Sequence, residues 1–479
     1  MEEKAVAPLK LNYKRTLLIG FAFFGILLLW QVYDLWCPPL LTELFKSKLG
    51  VTDEQQVQYI VCIMMAIDNL AALILLPIFG HLSDKTHTKI GKRMPYILIG
   101  TFVCSVTFPF IPVLFHMNDI AGVIIFMAVV VLFAMMYRNP AVALMPDITP
   151  KPLRSKANGL INIMGYIGGA FATVVGMVFV LSQYLGTEKF PDGTLKPHTW
   201  AYHNIWAIEG PFLIASVLML VSAVVLFLTI KENKITEEVK DDMARGELES
   251  EAVDKITEED APMSKGNKIM LYLILGAEFF WFMADNGVST FLNNYVLYNV
   301  GASTVSTSIL TIVGGVGSVA GFALGGLIAS KIGRKWTLLY GLIGTLACYA
   351  IWMILTFTVG LSGAAISGLP IWLYVLWLIK GFGMSLVHVN SYPMVVELCS
   401  GKKIGQFTGY YYASSMAAQT ITPVLLGLFL LSPTFDWDFL PVYAGVCILI
   451  SAAIFFFVKN VKSTKTTFKK GLEALDGED

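Results

Sequence analysis

Seven ionisable residues stand inside otherwise apolar runs of this 479-residue chain: Asp34, Asp68, Arg138, Glu278, Asp285, Lys380 and His388. On insertion scales a charge at the centre of a bilayer costs about 2.5–3.5 kcal/mol, so each of them is expected to face a cavity or a partner. The chemistry open to such a set is proton binding and release, ion pairing and hydrogen bonding to a polar solute. Arg138 and Lys380 need carboxylates, and Asp34, Asp68, Asp285 and Glu278 are the ones available; a permanent structural salt bridge is the competing reading. His388 reads either as a proton relay or as a satisfied core histidine. No glycine loop followed by Lys and Ser/Thr cradles a phosphate, and no His, Cys or carboxylate cluster has metal-ligand spacing. Those patterns argue against an enzyme, ATP drive, a metal site or a bound cofactor.

These side chains must be positioned by membrane-spanning helices. With 56% hydrophobic and 14% charged residues, and a mean hydropathy of +0.67, the chain is too apolar for a soluble fold. The zero net charge gives no basic patch for nucleic acid. Apolar runs near 16–45, 57–79, 94–115, 119–146, 156–185, 205–230, 269–297, 303–330, 336–360, 370–396, 405–431 and 440–458 predict twelve helices, an all-α membrane protein. The first run is too long for a cleaved signal peptide and reads as an uncleaved span. Cys37, Cys62, Cys104, Cys348, Cys399 and Cys447 lack CxxC spacing and read as buried free thiols.

Residues 231–268 hold twelve Asp or Glu and seven Lys or Arg, and are expected to form a solvated cytosolic connector. They divide residues 1–230, the first six-helix half, from 269–460, the second; 461–479 form a tail. Most Lys and Arg fall on the side of the N-terminus, whereas Lys46, Lys48, Lys189 and Lys196 fall on the other. By the positive-inside rule both termini are cytoplasmic.

The halves repeat. Two loops between apolar runs, GHLSDKTHTKIGKR from Gly80 to Arg93 and GGLIASKIGRK from Gly325 to Lys335, lie about 245 residues apart and are each expected to let two helix ends approach closely. Gly91 is followed by Lys92 and Arg93, and Gly333 by Arg334 and Lys335; Asp84 is placed to latch the first loop as part of a cytoplasmic gate. An offset of 250 pairs Arg138 with His388, Asp147 with Glu397 and Gly159 with Gly409; one of 251 pairs Trp30 and Asp34 with Trp281 and Asp285. Asp147 and Glu397 are expected to face Lys151, Arg154, Lys402 and Lys403. Repeats of this kind put a ligand site between the halves, near the bilayer midplane.

Over essentially all twelve runs the chain resembles a major facilitator superfamily carrier. LPIFGHLSDKTHTKIGKRMPYI is similar to the corresponding loop of plant sucrose–proton symporters and their animal sugar-carrier relatives, and PAVALMPDI from Pro140 to Ile148, with Ala157 and Asn158, resembles their fourth and fifth spans. The resemblance implies the major facilitator fold and a cation-coupled glycoside symporter. The chain departs from it where plant sucrose carriers place an arginine and an aspartate, here Val142 and Val131, and where melibiose-type sodium carriers place paired carboxylates, here Ala72 and Leu76.

Asp34 lies about 18 residues into its run, past the midplane at ~1.5 Å per residue, with Gln31 and Pro38 on its face at i−3 and i+4. It reads as a sugar acceptor or as a carboxylate in a gating ion pair. Asp285, with Trp281 one turn earlier and Glu278 at i−7, reads as an acid line beside a stacking face, or as helix–helix hydrogen bonding. Asp68, near mid-depth, reads as a proton site. Asn158 and Asn162, with Tyr410, Tyr411, Tyr412 and Gln419, are candidates to bind hydroxyls. The expected activity is proton-coupled symport of a sugar or small glycoside, an α-glucoside disaccharide such as sucrose or maltose among the candidates, by a monomer in the cell membrane. A sodium-coupled symporter or exporter of the same fold, or a membrane sugar sensor, are the alternatives.

Overall fold

The computed structural model describes residues 9–189, 194–195, 206–257, 265–360, 369–396, 398, 404–432 and 435–459. Glu397, Cys399, Lys402, Lys403, Lys196 and the tail lie outside them. Among the described residues, twelve helices are long and apolar enough to cross a membrane. In the first half they are α1 (Tyr13–Leu49), α2 (Gln55–Lys85), α3 (Met94–His116), α4 (Ile120–Asp147), α5 (Ala157–Val178) and α6 (Ile208–Thr229). In the second they are α7 (Lys265–Val300), α8 (Thr304–Ile332), α9 (Arg334–Val359), α10 (Ile371–Val395), α11 (Phe407–Leu430) and α12 (Phe439–Phe456).

Local sequence sets the ends. The Asn12 side chain accepts from the Arg15 N–H at 3.0 Å and starts α1; Asp119 caps α4 in the same way. Gly50 and Gly301, 251 positions apart, end α1 and α7 in the left-handed region at φ 66° and 65°. Gly91 and Gly333 have φ 127° and 87°, so both loops turn where an L side chain is strained.

Within each half, small residues let backbones touch, since lipid gives helices no hydrophobic reason to associate. A Cβ on Gly168 of α5 would run into the Phe24 carbonyl of α1, and one on Gly317 of α8 into the Leu378 carbonyl of α10. The first glycine of each loop motif packs alike: Gly80 against Asn139, Gly325 against Val389. Among the described residues, the hydrogen bonds between the halves lie toward one face. There the Lys189 N–H donates to the Gly301 carbonyl at 3.0 Å, Gln55 to the Ser432 carbonyl at 3.1 Å, and Tyr298 to Glu43 at 3.0 Å. At the face carrying Gly91 and Gly333, a Cβ on Gly159 or Gly409 would meet nothing within 4 Å.

Two of the inter-half bonds are dictated by proline. Pro39 has no N–H, so the Leu35 carbonyl four residues earlier lacks its helical donor, and Asn293 Nδ2 of α7 supplies one at 2.8 Å. Pro423 frees the Gln419 carbonyl likewise, and Asn69 Nδ2 of α2 donates to it at 3.1 Å.

The connector departs from a solvated linker. Its first residues form helices Glu232–Glu238 and Lys240–Thr257. Glu232, Ile235 and Val239 are buried, and Lys151 pairs with Glu247 at 3.2 Å. The physical reason is a vacant helix terminus: the Glu232 carboxylate accepts the N–H groups of Lys92 at 2.9 Å, Arg93 at 3.1 Å and Met94 at 3.0 Å. These are the unsatisfied donors at the start of α3.

Close packing at Gly168 gives a stability test. Gly168→Ala should cost about 1–3 kcal/mol, because a backbone carbonyl must move. Gly315→Ala, in α8 with open space around it, should be neutral or stabilising by up to about 1 kcal/mol. Thermal unfolding of both purified variants measures the difference, and equal melting temperatures would contradict the packing described.

Candidate functional site

A cavity of about 200 Å³ lies between the halves. The first half contributes Asn69 and Ala72 from α2 and Arg138 from α4; the second contributes Phe282 from α7 and Tyr411, Tyr412, Ser415, Met416 and Gln419 from α11. It touches the Asn69–Gln419 bond, so the proline-freed carbonyl and the cavity are one locus. Tyr411 is anchored by a 2.8 Å hydrogen bond with Ser391, and Ser415 donates to the Tyr412 carbonyl at 3.0 Å. The Gln419 amide, the Tyr412 phenol and the Arg138 guanidinium make no hydrogen bond among the described residues. Aromatic faces together with uncommitted amide, phenol and guanidinium groups suit a small polar solute.

The ionisable residues fall into two groups. In the second half, Lys380 of α10 donates to Asp285 Oδ1 at 2.6 Å, a charge-assisted bond between half-buried groups. The His388 ring packs 5.3 Å from that of Phe282 on the cavity wall. Glu278 is fully buried, with neither carboxyl oxygen hydrogen-bonded. In the first half, the Tyr33 phenol donates to Asp68 Oδ2. Asp34 has no hydrogen bond or ion pair among the described residues, and neither has Arg138.

Of the candidate binding residues, the structure brings Tyr411, Tyr412 and Gln419 to the cavity. Trp281 is fully buried with its indole N–H lacking an acceptor, and presents no surface there in this conformation. Gln31 lies against Gly169 of α5, its Oε1 3.9 Å from where a Cβ on that glycine would stand. Asn162 donates to Asn158 at 3.2 Å. Residues that the sequence reading missed are Asn69, Phe282, Ser415, Asn293 and Glu232. Pro39 and Pro423 were the available signal for the two asparagines, since each leaves an orphan carbonyl that needs a donor.

The first loop forms a closed network. Arg93 is buried and donates to Asp147 at 2.7 Å, to Asp84 and to Ser83, while Lys92 reaches Asp147 at 3.1 Å. Burial alone would lower the pKa of Arg93; Asp147 and Asp84 hold it above its ordinary value. Asp147 therefore faces Lys92 and Arg93 rather than Lys151 and Arg154. Arg154 instead donates to the Pro146 and Thr149 carbonyls at 3.0 and 3.1 Å, satisfying the end of α4. In the second loop Lys335 lies over the rings of Trp336 and Phe456 at 5.3 and 5.6 Å.

Two six-helix halves with a cavity between them, hydrogen-bonded to each other at one face, define a membrane carrier. The chain belongs to the Major Facilitator Superfamily, whose model matches residues 16–366 and 274–475. Its fold is similar to that of a D-xylose-proton symporter (14% identity, 95% of this chain, 100% of that one, TM-score 0.66). It is similar also to the xylose transporter XylE from E. coli in an inward open conformation (15%, 96% and 98%, 0.64), and to a peptide transporter, POT (14%, 92% and 93%, 0.61). By sequence it is 28% identical over 178 residues to the lactose permease of Leuconostoc lactis. That match covers 35% of this chain and about a quarter of the permease, 26%.

The ion pair invites a double-mutant cycle. Lys380→Met leaves Asp285 without counter-charge and should cost stability near the lower end of about 3–5 kcal/mol, whereas Lys380→Met with Asp285→Asn should recover most of it. Simple additivity of the two single effects would show that the pair is not coupled.

Proposed function

We propose that the protein is a proton-coupled symporter of a sugar or small glycoside, working by alternating access in the cell membrane with the face of Gly91 and Gly333 toward the cytoplasm. The observation that carries this reading is the inter-half cavity, where aromatic rings stand with amide, phenol and guanidinium groups that make no hydrogen bond among the described residues. A pyranose offers both an apolar face to stack on Tyr412 and Phe282 and hydroxyls for Gln419. Asp34, Asp68 and Glu278 are the groups for proton uptake, because no cation among the described residues neutralises them. The Asp285–Lys380 pair, and His388 beside it, couple that proton to the second half. Ala72 and Leu76 offer no oxygen ligands where a sodium site would need them, which favours the proton over sodium. The names of the xylose symporter and of the lactose permease support a sugar.

On this reading the structure is inward-facing. The Leu35–Asn293, Gln419–Asn69 and Glu43–Tyr298 bonds must break for solute to enter from outside, and the loops must then close the cytoplasmic face. Rocking two halves around a fixed site needs only one chain, so a monomer suffices.

Sugar uptake into intact cells, with and without a protonophore, tests the coupling. Substrate should alkalinise the medium, the protonophore should abolish accumulation, and Asp285→Asn should abolish it too, with Asp34→Asn at least as harmful to binding. Sodium-stimulated uptake at fixed pH with no alkalinisation would contradict proton coupling. Gly333→Val and Arg334→Ala should keep substrate affinity while slowing turnover severalfold. Equilibrium binding measured beside initial rate in the same membranes decides this, and collapsed affinity with normal turnover per bound substrate would move the loop into the binding site.

A further inference from the structure

The cation on the cavity wall lacks a counter-charge. Arg138 lines the cavity, yet no carboxylate among the described residues pairs with it. Asp285 is taken by Lys380, and Asp68 accepts from Tyr33. The contrast is with Arg93, the buried guanidinium of the first loop, which holds two carboxylates and a serine. An arginine cannot shed its charge, and a guanidinium half-buried in an apolar helix without an anion is costly.

We infer that the transported solute carries a carboxylate that pairs with Arg138. Resting on the sugar reading above, this makes the substrate a monosaccharide acid of the hexuronate type rather than a neutral sugar. Neutral hydroxyls would occupy some of the guanidinium N–H groups and leave its charge uncompensated. A carboxylate matches the planar fork with two parallel hydrogen bonds and neutralises it. Arg138 is the only cation among the described residues that line the cavity, so a single carboxylate supplies the one counter-charge that its guanidinium lacks. The remaining uncommitted groups, Gln419 and the Tyr412 phenol, serve ring hydroxyls, and Phe282 gives a ring face. At about 200 Å³ the cavity is smaller than the ~300–1,000 Å³ of sites for larger ligands, which suits one ring better than two.

The test is equilibrium binding to the purified full-length protein. The probes are glucuronate and galacturonate, their neutral parents glucose and galactose, glucose 6-phosphate, and lactate as a carboxylate without a sugar ring. A uronate should bind at least tenfold tighter than its parent hexose and than the phosphate ester. Arg138→Gln should erase that preference, lowering uronate affinity at least tenfold more than hexose affinity, and Arg138→Lys, which keeps the charge without the fork, should keep an intermediate preference. If the glutamine variant does not fold, the lysine variant alone carries the comparison. Hexoses binding as tightly as uronates, loss of both ligands in equal measure in the variants, or no carboxylate-dependent binding by any probe overturns the inference. Lactate bound as tightly as the uronates, with Arg138→Gln abolishing both, upholds the pairing and overturns the sugar reading instead.

Discussion

A peptide carbonyl freed by proline inside a membrane has no water to turn to, and much of this structure follows from where two such carbonyls find their donors. Pro39 and Pro423 release the carbonyls of Leu35 and Gln419, and in each case an asparagine from the opposite half answers, Asn293 at 2.8 Å and Asn69 at 3.1 Å. A bond that satisfies an otherwise orphaned group is worth more than its net hydrogen-bond energy, because breaking it exposes a desolvation cost of about 1–3 kcal/mol. The first bond helps to seal one face. The second crosses the cavity wall, so movement of the halves and occupancy of the cavity are mechanically linked.

The charges obey the same accounting. Arg93 is satisfied within its own half, which makes the first loop a rigid unit, and Glu232 extends that unit into the connector by accepting three N–H groups at the start of α3. Lys380 and Asp285 satisfy each other inside the second half. Arg138, Asp34 and Glu278 have no ion-pair or hydrogen-bond partner among the described residues, and Arg138 lines the cavity. A carrier of this type gains by leaving such groups incomplete in the empty state, since only ligands that differ in affinity between conformations can shift the balance between them.

The twelve helices and the two-fold repeat were legible because hydropathy runs and paired glycines are strong one-dimensional signals. Gly50 and Gly301 even share their left-handed conformation across the repeat. The partnerships of side chains were less so. Asp147 chose Lys92 and Arg93 over the nearer Lys151 and Arg154, because the carbonyls at the end of α4 claim Arg154. Glu232, inside a run of acids that reads as solvated, is tethered by helix-terminal donors that no composition reveals. Trp281, aligned with Trp30 and one turn from Asp285, is buried, since a helix pattern gives angle and spacing but not which neighbour covers a face. The cavity residue Ser415 carries no motif at all; it becomes visible only when α2 and α11 are brought together.

Alternating closure of the two faces is the central claim, and spin labels can follow it directly. Gly159→Cys and Gly409→Cys place a pair at the open face where there is room for a label; Lys48→Cys and Asp436→Cys place a second pair at the joined face. Pulsed electron–electron distance measurements on the full-length protein, with and without transported substrate and across pH, should show one pair shortening as the other lengthens. Distances at both faces that stay fixed through conditions supporting transport, or that change in the same direction, would contradict the account.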